Sequence, residues 1–377
     1  MDLSFTDAEL AFAADIRAWL ANNLELPPAF ASYDDEIAWG RQWQAKLAAD
    51  RWVGIHWPTA YGGRGATPVE VALYNAEYAR SRAPQLVNRV GINLAGPTLL
   101  AHGTDAQQAR WLPAILDASE MWCQLFSEPG AGSDLASLTT KAVPTDDGWL
   151  LTGQKVWTSY ARYARWGICL ARTDPEASKH RGISYLVVDM NADGIDIRPL
   201  TQITGEAEFN EVFLDEVHVP NDHLVGSLHD GWAVANTTLA HERGTTFPFK
   251  EQVVHEGYLD ELYATAAERG MLDDIDVSDA LAQAFIELRL LRLHNWRTLS
   301  RLGRGIEPGP ESSIVKLCWS DMTQHLSSTA LDVLGPDASL TGKWQRQWLW
   351  SKAASIAGGT SEVQRTIIGE RLLGLPR

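Results

Sequence analysis

The period of the apolar residues switches twice along this 377-residue chain, and that double switch limits its fold more than any other feature. Through the first third, apolar side chains recur at three- and four-residue spacing, which gathers them on one face of a helix. Thr6 stands where an N-cap belongs, ahead of Leu10, Ile16, Trp19 and Leu20, and that run stops before Pro27 and Pro28. Ile37, Trp39, Trp43 and Leu47 predict a second helix over 35–49, and the pattern returns over 68–79, 97–102 and 105–117. The Gly- and Pro-rich stretch from Trp57 to Gly65 reads as a loop.

Near residue 120 the helical period gives way to short runs rich in Val, Ile, Trp and Tyr, over 121–127, 148–157, 166–172, 183–189 and 209–219. Asp146-Asp147-Gly148 and Ala192-Asp193-Gly194 supply turns between them. Short strands with no long helix between them predict an antiparallel barrel or sandwich, not a parallel βαβ sheet. After Gly231 the helical period resumes. Leu281, Phe285, Leu288, Leu291 and Trp296 fall along one side of a long amphipathic helix over 279–302. A second, over 312–334, ends at Gly335-Pro336, and shorter helices are expected over 344–356 and 362–373. The expected fold class is mainly α with a central antiparallel β domain. The expected domains are an N-terminal helical domain (1–119), a middle β-barrel domain (120–230) and a C-terminal helical bundle (231–377).

Composition narrows the partners. Lys and Arg number 32 against 48 Asp and Glu, a formal net charge of −16. Nucleic acid and anionic lipid need a basic footprint, so neither is an expected partner, and any anionic ligand must be held by a local pocket. Cys123, Cys169 and Cys318 are far apart with no CxxC pair, which suits a reducing compartment and excludes a zinc ribbon. Asp2 and Asp7 stand where a signal peptide would be basic, and no run approaches the roughly 18 apolar residues that span a bilayer. The expected location is cytoplasmic. Sixteen tryptophans fill broad cores or line cavities for planar ligands, and their number does not choose between the two.

There is no GxGxxG after a strand, no Walker A loop, no HExxH and no GxSxG elbow. His218, His223 and His229 fit no common zinc spacing and read as solvated or core histidines, so no metal is expected. The densest segment runs Ser127-Glu128-Pro129-Gly130-Ala131-Gly132-Ser133-Asp134. Its glycines let successive N–H groups point into a concavity, and its serines add hydroxyls. Such a nest suits phosphate, a pyrimidine dione or a thioester carbonyl; the plainer reading is a surface turn between strands.

With its neighbours, this segment says more. The run from Met121 to Asp134 resembles the first signature of the acyl-CoA dehydrogenase family, Gly153 to Ser159 resembles its second flavin-contacting strand, and Gly358 to Arg365 resembles its third motif. The three occur in the family's order over essentially the whole chain. The resemblance implies FAD as cofactor, an acyl-CoA substrate and an α–β–α architecture. It implies that Gln124, Phe126 and Ser127 line the flavin, that Gly132 and Ser133 meet the pyrophosphate or ligand side of the nest, and that Trp157 packs on the isoalloxazine. By the same resemblance Ser159 lies near the N5 edge, and Thr360 and Glu362 approach the pyrophosphate and ribose.

The reaction so implied needs a base for the α-proton of the thioester, and a carboxylate in a dry pocket has the raised pKa for that work. Many members of the family place it two residues before the Thr-Ser pair of the third motif, which here is Gly358. A second family position lies on the first long helix after the β domain, and there the chain reads Leu239-Ala240-His241-Glu242-Arg243-Gly244. Glu242 is the expected base, with Arg243 positioning the helix or neighbouring charges. Ser133, Arg243 and Gly358 are expected on the substrate side, the glycine leaving room for branched or ring-bearing acyl groups. Gln202 to Phe213 is similar to steroid-catabolic actinobacterial members.

One departure stands out. The family's Arg-x-x-Phe-Gly, which reaches a neighbouring subunit's FAD, is replaced by Arg269-Gly270-Met271-Leu272 and an expected acidic loop with Asp273, Asp274 and Asp276. The resemblance therefore implies a base-bearing subunit in a homo- or heterotetramer with a second such chain, reoxidised by an electron-transferring flavoprotein. The alternatives are a non-catalytic acyl-CoA-binding partner subunit, or a flavin oxidase or monooxygenase on the same scaffold.

Overall fold

The computed structural model describes residues 4–242, 247–306 and 309–376, apart from the side chains of Glu242, Phe247 and Pro248. Helices α1 (Asp7–Asn23), α2 (Tyr33–Ala49), α3 (Pro68–Arg80), α4 (Gly96–His102) and α5 (Asp105–Leu116) come first. Strands β1 (Trp122–Leu125), β2 (Lys141–Pro144), β3 (Gly148–Ser159) and β4 (Trp166–Arg172) follow, then β5 (Ile183–Asp189), β6 (Ile195–Leu200), β7 (Phe209–Pro220) and β8 (Leu224–Val225). The chain closes with α6 (Gly231–Glu242), α7 (Phe247–Glu268), α8 (Ile275–Leu302), α9 (Ser312–Leu334), α10 (Lys343–Ala354) and α11 (Ser361–Ile367).

Caps define several helix starts. Thr6, Thr67 and Thr104 each accept from the third helical amide, and Glu9, Glu70 and Gln107 reach back to the cap's own N–H. The described residues form two compact units. One gathers those of Met1–Leu26, Ala66–Ala83 and Arg243–Arg377; the other holds Pro27–Gly65 and Pro84–Glu242.

The second unit carries the whole sheet, in the order β6-β7-β3-β2-β4-β5-β8, with β1 beside β4. Most pairs are antiparallel, as expected, but β1 runs parallel to β4 from Trp122↔Trp166 to Leu125↔Cys169, and β2 touches β4 in parallel at Lys141↔Arg172. Strands β2, β6 and β8 escape the sequence pattern. β2 buries only Ala142, β6 buries no residue fully, and β8 is two residues long. Cys123, Leu125, Leu151, Cys169, Leu186, Val188, Val212 and Val217 fill the core of this unit. Trp111, Trp122 and Trp166 cluster with ring centroids 5.8–6.3 Å apart, a packing use for part of the tryptophan surplus.

In the first unit α1 packs on α3, and α7, α8, α9 and α10 share a core around Leu262, Leu288, Leu291, Trp319, Met322 and Val333. Two expectations are corrected here. The acidic loop is shorter than expected: Asp273 and Asp274 lie in it, but Asp276 stands in the first turn of α8, and Asp274 caps that helix, accepting from the amides of Asp276 and Val277, where negative charge complements the helix dipole. Phe285 does not face the core. The buried stripe of α8 is Val277, Leu281, Ala284, Leu288, Leu291, Asn295 and Leu299, and Phe285, one residue off it, is 48% exposed. Leu10 is likewise exposed on α1, which buries Ala13, Ile16 and Leu20 instead.

Candidate functional site

A bulge in β3 shapes the site. Between β3 and β7 the register runs Lys155↔Val212 and then Thr158↔Asn210, so β3 carries one residue more than its partner. Trp157 takes the strain, with φ +60°, a conformation that disfavours large side chains. Its indole turns outward, 62% exposed, with the ring of Phe209 edge-on at 6.1 Å. A flat apolar ring held against both backbone preference and the hydrophobic effect is poised for a planar ligand.

The loop after β1 lies directly beside this bulge. The Val156 amide donates to the Ser127 carbonyl at 2.9 Å, which brings Ser127 next to Trp157. Glu128 and Ala131 exchange backbone hydrogen bonds of 3.1 and 3.0 Å and close the turn that presents Gly130 and Gly132. Gln124, Ser127 and Ser159 are half-buried and Ser133 is exposed, so the four polar side chains keep access to a ligand. Phe126 differs: it is 4% exposed and its ring meets Tyr185 edge-on at 5.9 Å, so it offers backbone rather than ring.

Sequence reasoning missed what lies underneath. Lys155 is fully buried, and its Nζ donates to Glu128 Oε1 at 2.9 Å, to Leu170 O at 2.8 Å and to Phe126 O at 3.2 Å. The Glu128 carboxylate also accepts from the Thr139 amide and hydroxyl, both at 2.7 Å, and from the Thr140 amide at 2.9 Å. Burial opposes ionisation of Glu128, but Lys155 and these donors outweigh it and hold the carboxyl at about 2. The signal for this pair was a lysine inside an apolar strand, which reads in isolation as a solvated residue.

Helix α6 is pinned within the same unit. The Thr238 hydroxyl lies 2.8 Å from that of Thr98 and 3.2 Å from that of Tyr185, and His102 Nε2 lies 2.7 Å from the Thr237 hydroxyl. Glu242 ends this helix one turn beyond Thr238; its side chain, and the whole of Arg243, lie outside the described residues.

In the other unit, Thr360 caps α11 by accepting from the Val363 amide at 3.2 Å. The exposed Glu362 carboxyl is held below its usual range by its own amide and by the Thr360 hydroxyl. Gly358 and Gly359 both have left-handed φ, +65° and +95°, and the buried Gln364 donates to both their carbonyls. The Gly358 turn therefore has a backbone reason for glycine beside any room it leaves. Arg269, the remnant of the missing motif, donates to Asp337 at 2.7 Å and to Leu334 O at 3.0 Å.

His218, His223 and His229 have separate partners, Asp147, the Val187 carbonyl and Thr173. Among the described residues no group of three His, Cys, Asp or Glu side chains could hold a metal ion, and no helix is long and apolar enough to cross a membrane. The residues do fit a flavin dinucleotide. A Cβ at Gly130 or Gly132 would meet no atom of the described residues within 4 Å, so the space at those two positions is open. Buried Thr158 Oγ1 and Asn210 Oδ1 find no hydrogen-bond partner among the described residues beside the bulge, and the indole supplies the flat face.

Comparison with known proteins agrees in kind. The acyl-CoA dehydrogenase N-terminal, middle and C-terminal domain families match residues 6–119, 123–217 and 229–373. The acyl-CoA dehydrogenase IpdE1 of Mycobacterium tuberculosis is 42% identical over 97% of both chains. Among solved structures, the Tcur3481-Tcur3483 steroid ACAD is 29% identical with TM-score 0.88 over all of both chains. The ChsE4-ChsE5 complex from Mycobacterium tuberculosis is 30% identical with TM-score 0.85, again over all of both chains.

Proposed function

This chain belongs to the acyl-CoA dehydrogenase family, an FAD-dependent family of enzymes, and on that premise we propose that it converts a bulky or ring-bearing acyl-CoA thioester to the trans-2-enoyl-CoA. The observation that carries this reading is the outward indole of Trp157, held in a strained bulge beside Ser127. Gln124, Phe126, Ser127, Gly132, Ser133, Trp157 and Ser159 hold the flavin end in this account, with Thr360 and Glu362 toward the dinucleotide. The division into 1–119, 120–230 and 231–377 belongs to the same proposal.

FAD, when bound, supplies the acceptor for the hydride that leaves Cβ. Everything else is work for the chain. Glu242 takes the α-proton onto its carboxylate as the Cα–Cβ double bond forms. Trp157 covers one face of the site and keeps water from it. Ser127 and Ser159 offer hydroxyl donors to the polar ring edge, and the turn at Gly130–Gly132 offers backbone N–H groups to anionic oxygens. Gly358 removes a side chain from the substrate wall. That room, together with the likeness to a structure described as a steroid ACAD, supports a branched or polycyclic acyl group.

The same reading places the chain in an assembly with a second acyl-CoA dehydrogenase-like subunit, reoxidised by an electron-transferring flavoprotein. Two observations support a partner. Arg269 is tied to Asp337 and Leu334, so it does not replace the missing FAD contact, and Ile286, Leu290 and Leu293 leave an apolar stripe on α8 that is 48–61% exposed. Cys123 and Cys169 are buried and free, as suits the reducing cytoplasm. A thermal-shift screen against straight-chain, branched and polycyclic acyl-CoAs, followed by anaerobic reduction of the flavin, tests the substrate class. Reduction by straight-chain thioesters alone would overturn it.

A further inference from the structure

We propose that the buried pair Glu128–Lys155 is the positioning device of the flavin site, one lysine fixing both the loop after β1 and the bulge of β3. The inference rests on the flavin-site reading above. Lys155 precedes the bulge by one residue, and its Nζ reaches Phe126 O and Glu128 Oε1, on either side of Ser127. With the Val156 amide on Ser127 O, three successive loop residues are stapled to one end of β3. Glu128 extends the hold to Thr139 and Thr140, so the turn bearing Gly130 and Gly132 is anchored at both ends.

Stability alone is a weak reason for such a pair. Desolvation of two charges offsets much of their attraction, and apolar residues of like volume serve a core as well. What an apolar pair does not do is direct the carbonyls of Phe126 and Leu170 and the amides of Thr139 and Thr140 to fixed points. The left-handed Trp157 backbone also needs an external restraint, because its own preference opposes it. Glu128 and Lys155 touch no reacting atom in this account; they act through Ser127 and Trp157.

The test compares wild type, K155M and the double variant E128Q/K155M, each reconstituted with FAD. The double variant keeps one acceptor oxygen, for either the Thr139 groups or the Thr140 amide, and leaves no unpaired charge. Melting temperature reports the fold, FAD titration reports affinity, and flavin circular dichroism with flavin fluorescence at saturating FAD reports ring placement. The double variant is expected to regain most of the melting temperature lost in K155M, yet to bind FAD about tenfold or more weakly, with altered flavin bands. Recovery of wild-type affinity and bands together with the melting temperature overturns the inference. If the double variant fails to fold, T139V decides: it removes one exposed hydroxyl from Glu128, and FAD should weaken at least about twofold, whereas unchanged affinity and bands overturn the proposal. A wild-type chain that takes up no FAD with its partner present defeats the site reading instead, and so the two failures are distinct.

Discussion

The side-chain amide of Gln364 donates to the carbonyls of both Gly358 and Gly359, at 3.1 and 3.2 Å, and closes the turn before α11. Gln364 is fully buried, so the turn is fixed from beneath. A Cβ at Gly359 would come within 2.6 Å of Gln364 Nε2, on top of a φ of +95°. Gly358→Ala should cost about 1–2 kcal/mol through its left-handed φ alone, and Gly359→Ala should cost more, because Gln364 must also move. Urea unfolding of the two variants checks the order.

Trp157 yields a prediction with two opposite readouts. Glycine tolerates φ +60° without strain, and the indole is mostly exposed, so Trp157→Gly should leave unfolding stability within about 1 kcal/mol of wild type. The loss of the stacking face should weaken FAD by about tenfold. Denaturant unfolding without FAD and a flavin titration measure the two separately. A large loss of stability with unchanged affinity would assign the ring to packing.

Acid should report on Glu128. Its folded pKa is lowered to about 2, against roughly 4.3 for an unfolded glutamate. A lowered carboxylate contributes stability in full above the unfolded value and loses it as pH falls through the folded one. The stability gap between wild type and Glu128→Gln should therefore be widest above about pH 4.5 and shrink toward pH 2. Removing only the lysine, in Lys155→Met, leaves a buried unpaired carboxylate and should cost about 3–5 kcal/mol near neutral pH. Unfolding curves across that pH range supply both numbers.

Much of the fold was legible because the apolar period reports directly on helix and strand. Thr6 caps the helix it was expected to cap, and β3, β4 and β5 lie where the Val- and Ile-rich runs predict. Pairing is another matter: nothing in the period of 122–125 says that β1 joins β4 in parallel, since that choice is made by contacts between distant segments. Phe285 was misplaced because it borders the buried stripe, one residue past Ala284, and that much rotation is enough to expose a side chain. At the site, the motifs marked Ser127 and Trp157, but a bulge is invisible to a period-two pattern, so the outward turn of Trp157 was not. The role of Lys155 was hidden for the same reason that makes it unusual: charge inside a strand is read as surface.

Mixing the holoenzyme anaerobically with a polycyclic acyl-CoA, and following the visible flavin absorbance in wild type and Glu242→Gln, addresses the central claim most directly. The account predicts that the wild type bleaches, and that the variant still binds the thioester but bleaches about 10²–10⁴-fold more slowly. Bleaching of the Glu242→Gln protein at the wild-type rate would contradict it.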